Sequence, residues 1–184
     1  TETSDYVSIQ LWGLKGRNAY LWKLVNKRLD FVNTLRMVKQ LYKEFPEISE
    51  FIIEDKANGP AIINVLQYEE NMPPLVPVNP LGGKLSRAQA TSAFIVSGNA
   101  HVPVDFTPAE EEDVEWDKNE TLTAREKFIK QHTSFPFAKR DDMVDAQSQQ
   151  LSRLLKMITG EIPIPQRREY KRYVEWYSDQ WEDY

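Results

Sequence analysis

What limits the fold of this chain most is a change of period along it. Asp5–Leu14 (DYVSIQLWGL) alternates loosely, and Asn18–Leu29 (NAYLWKLVNKRL) is rich in aromatic and β-branched residues. The Lys15-Gly16-Arg17 step between them makes the pair a β-hairpin. Beyond it, short apolar runs alternate with helical spacing. Leu35, Val38, Leu41, Tyr42 and Phe45 recur as on one helix face, and Pro46 stops the run. Phe51–Ile53 is a short buried strand by its apolar continuity, and Pro60 opens an amphipathic helix through Ile62, Ile63 and Leu66. Leu75–Val78 is the next strand, Lys84–Ser97 a helix closed by Gly98, and Ala100–Val104 a further strand. Helices are then expected at about Thr121–Thr133 and Asp141–Ile158, the second with Met143, Ala146, Leu151, Leu154, Leu155 and Ile158 on one face and Gly160 at its end. A hairpin followed by strand–helix alternation implies an α/β fold: a mixed sheet flanked by helices on both faces. We expect one domain over residues 1–160. Residues 161–184, with Pro163, Pro165 and aromatics among charges, read as a C-terminal arm that docks on something.

Composition narrows the chemistry. The 184 residues include no cysteine, which removes disulfides, zinc–thiolate sites and thiol catalysis. There are only two histidines, His101 and His132, and neither has an acid or nucleophile at telling spacing, so both read as structural. A metal here would be a hard cation bound through oxygen. No apolar run approaches the roughly 20 residues of a membrane span, and no signal peptide is expected. The net charge of −5 disfavours nucleic-acid binding by the whole surface. That average hides contrast: Lys15–Lys43 is basic, whereas Pro108–Asp117, read as an acidic linker, holds six acids and no base. A DNA site would have to be local.

Two acidic clusters stand out. Glu54-Asp55 follows the Phe51–Ile53 strand, at the kind of carboxyl-terminal strand end where ligands of such sheets sit. Asp141, Asp142 and Asp145 open the last long helix, where three- and four-residue spacing puts them on a shared face. Each has an ordinary explanation, as a solvated turn and as helix capping respectively. Carboxylates converging from a strand end and a helix start would instead suit two divalent cations about 4 Å apart, the arrangement of two-metal phosphodiester cleavage. Trp12, Trp22 and Phe94 read as core residues. Gly82-Gly83-Lys84 lacks the spacing of a nucleotide-binding phosphate loop, so no ATP site is expected here.

The segments IIEDKANGPAII (Ile52–Ile63), LVPVNPLGGKLSRAQA (Leu75–Ala90), SGNAHVP (Ser97–Pro103) and SFPFAKRDDMVDAQSQQL (Ser134–Leu151) resemble, in order and spacing, the nuclease domain of tailed-bacteriophage large terminases; the likeness runs from Asp5 to about Leu155. It implies a ribonuclease H-like fold and a Mg²⁺- or Mn²⁺-dependent endonuclease using two ions. The implied activity cuts concatemeric double-stranded viral DNA during genome packaging, in the host cell cytoplasm. The implied partners are a packaging ATPase domain, a small terminase subunit and a portal. By the same resemblance Glu54 and Asp142 are catalytic metal ligands, with Asp141, Asp145 and Asp5 as further candidate ligands. Lys56, Lys84 and Arg87 fall in the matching motifs and are candidate DNA contacts. Two departures stand out. The family's principal first-strand aspartate would lie upstream of Asp5. Arg140 stands where similar sequences often carry a histidine, and arginine cannot transfer protons as histidine does. Two other readings remain open: a non-catalytic docking module of a packaging motor, and a branched-DNA resolvase of the same fold.

Overall fold

The computed structural model describes residues 6–79, 82–116 and 121–165, together with the backbone of 181–183. The chain divides into two compact units, each described here by itself. The larger is built from 6–28, 82–116, 121–162 and 181–183, and the smaller from 29–79 with 163–165. Both are mixed α/β.

In the larger unit, strands β1 (Tyr6–Lys15) and β2 (Asn18–Arg28) form the expected antiparallel hairpin, with Gly16 at φ 63° in its turn. That left-handed conformation is one that glycine adopts at no steric cost. A bulge interrupts the register between Leu11 and Trp12. Helix α3 (Lys84–Val96) leads to β5 (Ala100–Pro103), which runs parallel to β2. Residues 108–112 depart from expectation. The stretch read as an acidic linker contains a short helix, α4 (Pro108–Glu112), started by a capping box in which Thr107 and Glu110 satisfy each other's backbone N–H groups. Its acids have work to do. Asp113 takes the ammonium groups of Lys27 at 2.8 Å and of the buried Lys23 at 3.1 Å. Burial pushes the Asp113 carboxyl up, but those two lysines together hold it below its ordinary value.

Helices α5 (Ala124–Ser134) and α6 (Asp142–Ile158) complete this unit, α5 behind a second capping box formed by Thr123 and Glu126. Trp12, Leu21, Leu24, Phe94, Val102, Phe128, Met143, Leu151 and Leu154 form a continuous core between the sheet and these helices. Trp12 and Phe94 are thus core, as expected, while Trp22 is half-buried. The backbone of β6 (Trp181–Asp183) pairs antiparallel with β5, giving the sheet order β1-β2-β5-β6. The only described strand of the C-terminal arm is therefore part of the chain's own sheet.

The smaller unit holds α1 (Phe31–Glu44), β3 (Phe51–Glu54), α2 (Gly59–Leu66) and β4 (Leu75–Val78). Asp30 caps α1 by accepting from the Asn33 backbone N–H at 2.8 Å. Strands β3 and β4 pair in parallel through the α2 crossover, from Phe51 opposite Leu75 to Glu54 opposite Val78. They form a two-stranded sheet of their own, where the sequence pattern implied a single sheet. Among the described residues no helix is long and apolar enough to cross a membrane.

Candidate functional site

The acids that open α6 are not its caps. Asp141 occupies the N-cap position yet makes no side-chain capping hydrogen bond. The free N–H groups of Met143 and Val144 are met from another helix instead: the buried Gln131 side-chain oxygen on α5 accepts both, at 2.7 and 3.3 Å. Gln10 on β1 donates to the Met143 carbonyl oxygen at 2.8 Å, and the Met143 side chain is buried in the core. The first turn of α6 is thereby pinned from the strand, from α5 and from below. With the Met143 and Val144 N–H groups satisfied elsewhere, Asp141 and Asp145 are released for other work, while Asp142 accepts from its own backbone N–H.

Two of them face cations from α3. Lys84 donates to an Asp141 carboxylate oxygen at 2.7 Å and lies 3.9 Å from Asp145. Arg87 grips Asp145 through both its Nε and Nη2, the former at 3.2 Å, while its Nη1 donates to the Gly82 carbonyl oxygen at 3.0 Å. The Arg87 and Asp145 side chains are only 13% and 12% exposed. A pair so desolvated depends on its partner, because either charge left alone would be costly. Lys84 and Arg87 stand in the first turn of α3, which has no acid. That is the end of a helix where a positive charge is disfavoured by the aligned peptide dipoles. Their own helix gives no reason for them to be there. Burial lowers the Lys84 pKa, but the hydrogen bond and charge of Asp141, aided by Asp145 and Asp142, outweigh it and leave the ammonium group above its ordinary value.

Asp142 differs from its neighbours. Among the described residues no cation comes within salt-bridge distance of it. Burial pushes its carboxyl above the ordinary value; the charge of Asp141 adds to this, while its own backbone N–H, Lys84 and Arg140 oppose it. It is the acid of the cluster with charge left to offer. Arg140, the residue before Asp141, lays its guanidinium 4.0 Å from the centre of the Tyr6 ring.

Glu54 belongs to the smaller unit. It ends β3, where the Asp55 backbone N–H still donates to Val78 at 2.8 Å and so prolongs the parallel pairing past the strand. Its carboxylate is half-exposed and lies 3.9 Å from the Lys56 ammonium. The carbonyl of the same residue is tightly enclosed, since a Cβ added at Gly59 would stand 1.8 Å from the Glu54 oxygen. The turn to α2 runs through Ala57 at φ 49°.

The described site residues therefore fall into two sets. The larger unit brings together Asp141, Asp142, Asp145, Lys84 and Arg87; the smaller holds Glu54 with Lys56. Asp5 lies outside the described residues. Among the described residues no group of three or more His, Asp or Glu side chains is placed to hold a metal ion. Gln131 and Gln10, which free and fix the acids, carried no signal in the sequence, because their bonds to α6 span 12 and 133 residues. His132 is structural, as expected: its Nδ1 lies 2.7 Å from the Phe128 carbonyl oxygen and its ring packs on Phe128. His101 stacks on Tyr20 with ring centres 4.6 Å apart. The chain matches no model of a known protein family and no curated protein.

Proposed function

We propose that this chain is the nuclease domain of a phage large terminase, with a ribonuclease H-like fold, and that it hydrolyses concatemeric double-stranded DNA during genome packaging in the host cell cytoplasm. The packaging ATPase domain, small terminase subunit and portal are its partners on this reading. What supports the family is the resemblance of its linked motifs. The observation that carries the chemistry is the first turn of α6, where Asp141 and Asp145 stand against two cations set at the disfavoured end of α3 and Asp142 has no described cation within salt-bridge distance. A mixed hairpin sheet and a parallel β3–α2–β4 unit support the fold at the level of class.

The donor set suits a hard divalent cation, being carboxylate oxygen throughout. Asp142, half-buried and unpaired by any described cation, and Glu54, at a strand end, are the proposed ligands. Asp141, Asp145 and Asp5 are the secondary candidates. Bound Mg²⁺ or Mn²⁺, as a pair of ions, would supply an activated water and stabilise the leaving oxygen. The protein's part is to hold Asp142 rigidly through Gln131 and Gln10, and to keep positive charge near the scissile phosphate through Lys84, Arg87 and Lys56. One observation favours a second reading, that of a non-catalytic module: Asp141 and Asp145 are already neutralised by Lys84 and Arg87, as structural ion pairs would be.

Incubating supercoiled plasmid with the protein and Mn²⁺ or Mg²⁺ separates the two. The nuclease reading expects metal-dependent nicking that falls on the order of 100-fold or more in Glu54→Ala and in Asp142→Ala. Identical products from the wild type and both variants would remove the site assignment.

A further inference from the structure

We propose that Trp12 is a positioning residue for the acids of α6, acting through the side-chain amide of Gln10. The inference rests on the nuclease reading and adds to it the group that orients the metal-binding turn.

The Trp12 indole is buried in the core of the larger unit, only 6% exposed. A tryptophan at that depth keeps one polar demand, its N–H, which can only donate. Side chains two apart on a strand share a face, so Gln10 stands beside it on β1. The Trp12 Nε1 donates to the Gln10 Oε1 at 2.9 Å, and the Gln10 Nε2 donates to the Met143 carbonyl oxygen at 2.8 Å. The two ends of a glutamine amide have nearly the same shape and opposite hydrogen-bonding roles, so the neighbours decide which end points where. Here the neighbours agree. The indole takes the oxygen, and the NH₂ is left for α6. Ser8, 3.4 Å from the same Nε2, can donate or accept and does not set the direction. Among the described residues Trp12 is the one partner of the Gln10 oxygen.

The backbone that Gln10 grips is the one that carries Asp142. The Met143 carbonyl and the Val144 N–H belong to a single planar peptide group. Gln10 holds its oxygen from β1, and Gln131 holds its N–H from α5 at 3.3 Å. Gln131 takes the Met143 N–H as well, at 2.7 Å. Asp142 is the residue immediately before. Its main chain is thus fixed by two side-chain amides, and one of them takes its direction from a core indole.

The test is calorimetric titration with Mn²⁺ of the wild type, Trp12→Phe, Gln10→Met and the double variant. A further protein carries benzothienylalanine at position 12, an isostere with sulfur where the indole N–H stands; it fills the core should the smaller phenyl ring fail to. Trp12→Phe is expected to weaken Mn²⁺ binding by roughly 3- to 10-fold, about the worth of one neutral hydrogen bond. The isostere should match it, and Gln10→Met should lose at least as much. Because Trp12 acts through Gln10, the double variant should bind no more weakly than Gln10→Met alone. A merely structural Trp12 would lower the melting temperature without moving the affinity. Wild-type affinity in the isostere protein would overturn the proposal while leaving the nuclease reading intact. Losses that add in the double variant would overturn it too, by showing that Trp12 acts by another route. Absence of saturable binding by the wild type would instead defeat the nuclease reading on which the inference depends.

Discussion

Gln131 shows how a single buried residue decides what its neighbours are free to do. Its oxygen takes the two backbone N–H groups that an N-cap aspartate would otherwise serve, so the carboxylate of Asp141 becomes available for charge chemistry. His132, the next residue along α5, plays no such part. Burial holds its imidazole down to about 4, partly opposed by the hydrogen bond to the Phe128 carbonyl oxygen. A histidine depressed below its unfolded value near 6.5 binds fewer protons folded than unfolded between those two pH values. Stability therefore rises with pH across that window: full above about 6.5, and lost progressively as pH falls toward 4, by about 3 kcal/mol in all. Urea unfolding at pH 7 and pH 4.5 should show this loss, and His132→Gln should flatten its share of it. An equal acid limb in that variant would mean that other groups carry the pH dependence. At this scale the acids were legible in the sequence, because charge patterns are local. Their partners were not, because Gln131, Gln10, Lys84 and Arg87 reach α6 through tertiary packing that no spacing encodes.

Among the elements, the passage from β3 to α2 is the one on which Glu54 depends. Gly59 is needed there for want of room: a methyl group at its Cα would meet the Glu54 carbonyl oxygen at 1.8 Å, and backbone cannot swing aside as a flexible side chain can. Gly59→Ala is expected to destabilise the protein by roughly 2–3 kcal/mol, the usual cost of overpacking. It should also lower metal-dependent activity by moving the Glu54 strand end. Thermal denaturation checks the first effect, and wild-type melting would contradict it. The hairpin, β4 and the long helices could be read ahead because each announces itself by turn chemistry or period within a few residues, as Lys15-Gly16-Arg17 and Pro46 do. Helix α4 was hidden because six acids in ten residues look like a solvated linker; the signal was there in Thr107, Pro108 and Glu110, a capping box with proline behind the cap. The pairing of β3 with β4 apart from the other strands was not legible, since sheet membership is settled by contacts distant in sequence.

Taken whole, the chain sets a net charge of −5 against a proposed substrate that is a polyanion. The conflict is resolved only if DNA meets a local surface where cations prevail and a divalent ion offsets the acids. The proposal therefore stands or falls on metal binding, before any cleavage is measured. Titrating the protein with Mn²⁺ and following free ion by electron paramagnetic resonance tests this most directly. The account expects saturable binding by the wild type, weakened about 10- to 100-fold by Asp142→Ala and likewise by Glu54→Ala. Wild-type affinity in both variants, or no saturable binding at all, would contradict it.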